Sequence, residues 1–175
     1  MTIKDINNIH IRTSPKPGDF GFVIHRHGVL YAEEYNYGIS FETYVAAGMH
    51  EFYIQYDPSK DRVWICEDDG KIIGFLLLMH RPDNAAQLRY FYLEKEYRNI
   101  GLGKKMMSLY MDFLKEKGYA SSYLWTTNEL DAASSLYKRH GFILTEEKES
   151  AAFGKPLLEQ KYELVVCGQL EKKKL

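Results

Sequence analysis

From Phe41 onward apolar side chains recur at Val45, Met49, Phe52 and Tyr56. Steps of three and four put one stripe on one face of a helix, and Pro58 with its charged neighbours ends it. A second amphipathic stretch, His27 to Asn36, lies just before. Ahead of that, the short apolar run Phe20 to Ile24 after Gly18-Asp19 reads as a first strand. The period then changes. Arg62 to Glu67 and Ile72 to Met79 read as strands joined by Asp68-Asp69-Gly70-Lys71, a hairpin composition because Asp-Gly tolerates positive φ. Ala86 to Leu93 is a further strand. Leu102, Met106, Leu109 and Phe113 form a helical stripe that Gly118 stops. Tyr123 to Thr127 is a short strand, and Asn128 to His140 is helical, with Leu130, Ala133 and Tyr137 on one face before Gly141. Phe142 to Lys148 and Leu157 to Val166 close the chain as a strand pair. The order β-αα-βββ-α-β-α-ββ is that of a mixed sheet covered by helices, with crossovers in the second half.

Composition narrows the setting. The chain has 175 residues, 45% hydrophobic and 27% charged, which fits one globular domain with its own core. Residues 1–17, polar and interrupted by Pro15 and Pro17, read as a lead-in; 18–167 as the domain; 168–175 as a charged, solvated tail around Lys172-Lys173-Lys174. A net charge of -1 gives no reason to expect a nucleic-acid surface. The longest apolar stretch, Ile72 to Met79, is shorter than the roughly 18 residues a membrane span needs, and MTIKDINNIHIR lacks the apolar region of a signal peptide. A cytoplasmic protein without membrane partners is expected. Cys66 and Cys167 sit inside strand-like runs and read as small buried thiols in a reducing compartment.

The chemistry concentrates in Leu88 to Lys104. An apolar strand runs through a charged turn into Arg98-Asn99-Ile100-Gly101-Leu102-Gly103, and a helix follows at once. Glycines let backbone approach a ligand without a Cβ in the way. The first-turn N–H groups and the helix dipole then favour an anion. Lys104 and Lys105 fall in the same turn, where cations are disfavoured unless an anion joins them. A dinucleotide fold fits less well, because it wants Gly-x-Gly-x-x-Gly in an early βαβ unit and an acidic residue about 20 positions on.

Three segments resemble the Gcn5-related N-acetyltransferase (GNAT) superfamily. They are RNIGLGK after the strand ending Tyr92-Leu93; the helix NELDAASSLYKRHGF, where Ala133, Leu136-Tyr137 and Gly141-Phe142 follow the family pattern A-x-x-L-Y-x-x-x-G-F; and the front segment GDFGFVIHRHGVLYAEEY. Followed by LWTTNELDAASSLY, the last also looks like the acetyltransferase domains often fused to MarR-type regulators, of which a free-standing form is expected here. The resemblance implies an α/β (α+β) fold, a mixed, mostly antiparallel twisted sheet flanked by helices, with a splayed central strand pair. It also implies acetyl-CoA as co-substrate, held through Arg98, Asn99, Ile100, Gly101, Leu102, Gly103 and Lys104. The strand Arg89 to Leu93 would bind the acetyl-pantetheine arm through its backbone, the Tyr92 and Leu93 amides polarising the carbonyl. Tyr137 would act as general acid toward the leaving thiolate.

One departure stands out. Many members carry an Asn seven residues before the tyrosine; here that position is Leu130, leaving Asn128, with Ala133, as the cofactor contact on this helix. A base is also needed, since an alkylammonium is not a nucleophile. Glu94 at the strand end is the first candidate, with Glu42, Glu33, Glu34, His25, His27 or a water chain as alternatives. His25 and His27 would share one face of a strand, but no third ligand is spaced to join them, so no metal is expected. In this fold the segment His25 to Tyr37 walls the acceptor pocket. The expected activity is acetyl transfer to a primary amine by direct attack in a ternary complex; the alternative is a non-catalytic acyl-CoA sensor or interaction module. The acceptor and the choice between monomer and homodimer stay open.

Overall fold

The computed structural model describes residues 4–166. A short strand β1 (His10–Arg12) precedes two helices, α1 (Asp19–Tyr35) and α2 (Ile39–Ile54). Then come β2 (Arg62–Asp68), β3 (Lys71–Arg81) and β4 (Ala85–Leu93), helix α3 (Leu102–Lys117) and β5 (Ser121–Thr127). Helix α4 (Asp131–Arg139) and the pair β6 (Ile143–Ser150) and β7 (Leu157–Val165) complete the fold. The strands form one seven-stranded sheet in the order β1-β2-β3-β4-β5-β7-β6. Every neighbouring pair is antiparallel except β4 with β5, which the α3 crossover makes parallel.

The sheet is covered on both faces, and strand alternation assigns each side chain to one of them. Val63, Ile65, Phe75, Leu77 and Met79 pack with Val23, Leu30, Val45 and Phe52 of α1 and α2. Trp64, Cys66, Leu76, Leu78 and Leu88 pack on the other side with Met106, Tyr110 and Phe113 of α3. This explains the unbroken run Ile72 to Met79, because β3 is central and buries both of its faces. The hairpin at Asp69-Gly70 adopts positive φ at both residues (49° and 72°), as its composition predicts. Cys66 lies in the core, where burial pushes its thiol up to about 12 and leaves it unreactive. Cys167 and the Lys172 to Lys174 run fall outside the described residues. No helix among the described residues is long and apolar enough to cross a membrane.

The order of elements is the expected one, but its first strand stands on other residues. Phe20 to Ile24 is not a strand; it forms the first turns of α1. Val23, His27 and Leu30 are buried along that helix at steps of four and three, so the five-residue run is the start of a longer helical stripe. A short apolar run cannot be told from a helix segment by periodicity alone. The strand at the edge is His10–Arg12, which pairs with Ile65 to Glu67 of β2. Arg12 fixes it by donating to both carboxylate oxygens of Asp19 (2.6 and 2.7 Å) and to Glu67 (2.8 Å). The α4 helix likewise starts later than expected. Leu130 is its N-cap, while Asn128 exchanges hydrogen bonds with Leu158, its N–H donating to the Leu158 carbonyl and its side chain accepting from the Leu158 N–H.

Candidate active site

The parallel pairing of β4 with β5 lasts only from Ala85↔Ser121 to Gln87↔Tyr123. Beyond it the two strands part, and the backbone of Leu88 to Leu93 loses its neighbour on that side. A bulge lies at the same place. Leu77 pairs with Arg89 and Phe75 with Tyr92, so Tyr90 and Phe91 together face Leu76. Tyr90 takes the left-handed conformation (φ 56°) that this requires, uncommon for an aromatic residue. The extra residue flips the alternation of β4. Ala86 and Leu88 face the α3 side, then Tyr90 and Tyr92 turn toward α1 and α2 while Phe91 and Leu93 face α3.

The ladder also directs the free backbone groups. The Glu94 N–H donates to the Ile73 carbonyl (2.9 Å), which makes Leu93↔Gly74 a non-hydrogen-bonded pair. The N–H and C=O of Leu93 therefore point into the gap, and by alternation those of Tyr92 point at Phe75. Leu93 is the better placed of the two expected amides.

A cleft of about 430 Å³ opens between α1, the end of β4, the start of α3 and α4. The glycine turn forms its floor. Asn99 (φ 63°) and Gly101 (φ 89°) are both left-handed, and Gly101 caps α3. The N–H groups of the first α3 turn have no intrahelical partners, and no acidic residue occupies that turn. Arg98, Lys104 and Arg139 line the cleft, so its charge is mainly positive. Arg98 is not free: its guanidinium meets both oxygens of Glu34 (2.7 and 2.8 Å) and donates from Nε to the Leu93 carbonyl (3.0 Å). The Arg98 pair holds the Glu34 carboxyl below its ordinary value.

A second, smaller pocket of about 100 Å³ adjoins this cleft, sharing Tyr31, Phe91, Leu130 and Ala133 with it. Its wall is mostly rings, including Tyr37, Phe41, Tyr44, Tyr90 and Phe153. Tyr137 lines this pocket, and burial raises its phenol well above the ordinary value, so it stays protonated. His27 also lines it. The His27 Nδ1–H donates to the Val23 carbonyl (2.8 Å), leaving Nε2 as the bare nitrogen, and burial lowers the ring to about 4.

The expected site residues are brought together in large part. Tyr92, Leu93, Arg98 and Asn99 line the larger cleft, as do Gly101, Gly103, Lys104 and Ala133. Ile100 packs against the core and the Leu102 side chain is fully buried, so these two can offer only backbone. Asn128 and Glu94 line neither cavity. Glu94 is held by both oxygens on Arg26 (2.6 and 2.7 Å). Among the other base candidates, His25 and Glu33 are exposed on α1, Glu33 against Lys95 (3.3 Å). On a helix His25 and His27 lie on different faces, one exposed and one buried. The sequence reading missed Arg89, Trp125 and Arg139. Only Arg89 carried a signal, a charge inside an otherwise uncharged strand.

Comparison with known proteins places this geometry. The acetyltransferase (GNAT) family model matches residues 29–142. An uncharacterized N-acetyltransferase of Escherichia coli (strain K12) is 29% identical over 97 residues, covering 54% of this chain and 58% of that protein. N-acetyltransferase family 8 member 2 of Rattus norvegicus is 27% identical over 116 residues, covering 61% and 51%. The chain thus spans about half the length of the curated relatives it matches. An acetyltransferase structure from Salmonella typhimurium with its cofactor acetyl-CoA superimposes with a TM-score of 0.67 at 19% identity, covering 91% of this chain and 95% of that one. At that identity the likeness concerns the fold.

Proposed function

The chain belongs to the acetyltransferase (GNAT) family, and from that premise we propose that it transfers an acetyl group from acetyl-CoA to a primary amine by direct attack in a ternary complex. The observation that carries the reading is the meeting of two cavities at the opened β4–β5 pair. One has a glycine-turned helix N-terminus on its floor, and the other has a protonated tyrosine in its wall.

The residues present suit acetyl-CoA. The first-turn N–H groups of α3, with Lys104 and Arg139 beside them, would hold the pyrophosphate. The Leu93 N–H, turned into the gap, would pair with a pantetheine amide as an added strand does, while the Leu93 C=O already accepts from Arg98 Nε. Acetyl-CoA supplies an activated thioester, whose acetyl carbon forms a bond to the amine nitrogen as its bond to sulfur breaks. A backbone N–H near the bulge would meet the charge that develops on the carbonyl oxygen. Tyr137, protonated at neutral pH, gives its proton to the departing sulfur and regains one from water. His27 Nε2 accepts a hydrogen bond from the amine and orients its lone pair, while the amine's surplus proton passes to water. Glu94, tied to Arg26, is assigned no proton transfer.

Thiol release from acetyl-CoA with a panel of amines and peptides tests this reading. Acceptor-stimulated release is expected. Tight acetyl-CoA binding with no stimulated release from any acceptor would count against catalysis.

A further inference from the structure

The ring-lined pocket contains a charge that its surroundings do not balance. Arg89 enters it from β4 with a side chain only 9% exposed. Its guanidinium lies 4.8 Å from the Tyr90 ring centre and 5.7 Å from that of Tyr44. Nη1 donates to Glu51 Oε2 (2.9 Å), and Nη2 has only a long contact to Tyr44 Oη (3.4 Å). Glu51 is not Arg89's alone. Its Oε1 accepts from Arg81 Nη1 (2.5 Å), and Arg81's other partner is the neutral Gln87 amide (2.8 and 2.6 Å). Two guanidiniums share one carboxylate, so the trio carries one net positive charge. Glu159, across the pocket, does not supply the missing anion, because Lys148 pairs with it (3.4 Å). A largely desolvated cation without a full counter-charge favours whatever brings one.

We propose that Arg89 anchors a carboxylate on the acceptor, and that the acceptor is an amine whose carboxylate is separated from its nitrogen by a flat, apolar body. This rests on the acetyl-transfer reading of the same site. The amine must reach Tyr137 and the gap at Phe91 to Leu93, whereas Arg89 lies two to four residues back along β4. At about 3.3 Å per residue that is a span of roughly 7 to 13 Å. The rings of Tyr31, Phe41 and Tyr90 line the distance between and suit a planar body by stacking. A second cationic group at the far end would meet the unbalanced Arg89.

The test compares three matched acceptors with the full chain and acetyl-CoA: para-aminomethylbenzoate, benzylamine and para-xylylenediamine. The expected order of kcat/KM is carboxylate, then neutral, then diamine, with about tenfold or more between the first two for a charge-assisted contact. Arg89→Gln should collapse that preference chiefly through KM. Glu51→Gln, at an exposed position of α2, removes the shared anion and should widen it severalfold. A carboxylate used no better than benzylamine, or a preference that narrows in Glu51→Gln, overturns the anchor. Calorimetry of para-aminomethylbenzoate on the CoA-saturated protein separates the two ideas. Binding that Arg89→Gln abolishes, with no amine turned over, keeps the anchor and defeats acetyl transfer. Turnover without carboxylate preference does the reverse, and absent binding overturns the anchor whatever the turnover.

Discussion

Gly48→Ala, a methyl group added on α2, should damage the active site from outside it. A Cβ built at Gly48 collides with the Tyr90 hydroxyl, lies 2.6 Å from Arg89 Nη2 and 2.9 Å from Tyr90 Cζ. The Tyr90 ring has little room to retreat, since it lies edge-on to His27 (5.7 Å) and under Arg89 (4.8 Å), on a residue already held at positive φ. Overpacking of this kind costs about 1–3 kcal/mol. For a chain of this size each kcal/mol lowers Tm by about 2–4 °C, so a fall of roughly 4–8 °C is the central expectation. Because Tyr90 sits in the bulge that opens β4, kcat/KM should fall as well. Tyr90→Phe offers an internal control. Its hydroxyl is buried with no hydrogen-bond partner, so its removal alone should be neutral or stabilise by about 1 kcal/mol. In the double variant the collision is relieved, and a coupling of about 1 kcal/mol or more is expected from the cycle. Differential scanning calorimetry with steady-state kinetics reads both quantities. A Tm of Gly48→Ala within about 1 °C of the parent, with unchanged kcat/KM, would refute the claim that this glycine seats the bulge.

Three further outcomes follow from the same geometry. Tyr137→Phe should lower kcat by about 10²-fold or more while acetyl-CoA affinity holds. In the parent the raised phenol keeps its proton, so the alkaline limb of kcat should not set in near the ordinary phenol value of 10.0; a fall centred there and lost in Tyr137→Phe would show that the phenol is not raised, whereas an unchanged kcat in Tyr137→Phe would defeat the general-acid assignment. Glu34→Gln should free Arg98 for a phosphate and tighten acetyl-CoA binding severalfold in calorimetry, whereas weaker binding would mean that Glu34 positions Arg98 rather than competing for it. Asp19→Asn should cost about 2–3 kcal/mol near neutral pH, less than a fully severed buried pair because Arg12 keeps Glu67. Burial raises the Asp19 carboxyl, but Arg12 and the Lys16 N–H outweigh it and leave the group below its ordinary 3.8. A lowered carboxyl stabilises above 3.8 and loses that contribution as pH falls through its folded value. The stability gap between parent and variant, followed by denaturant titration, should therefore be constant at neutral pH and close below 3.8; a gap that closes at higher pH would contradict the sign.

What the sequence makes legible, and what it hides, divides along one physical line. The glycine turn, the Asp69-Gly70 hairpin and the Gly118 stop are visible because each needs a residue type for a local backbone reason, and all appear where composition puts them. The long stripes of α2 and α3 are visible because burial on one face leaves a period. Neither signal reaches features set by pairing. His10–Arg12 is a strand because Arg12 meets Asp19 and Glu67, and three residues carry no period to read. The bulge leaves no trace in Tyr90-Phe91-Tyr92, since aromatic residues suit either face, yet that one extra residue decides which rings face the acceptor pocket and which backbone groups face the cofactor cleft. Glu94 illustrates the consequence. At the end of an opened strand it is a reasonable base by position, and only the fold reveals that Arg26 of α1 takes both its oxygens. The acidic residue that matters more is Glu51, remote in sequence and exposed, because sharing it between Arg81 and Arg89 leaves the pocket one positive charge in excess.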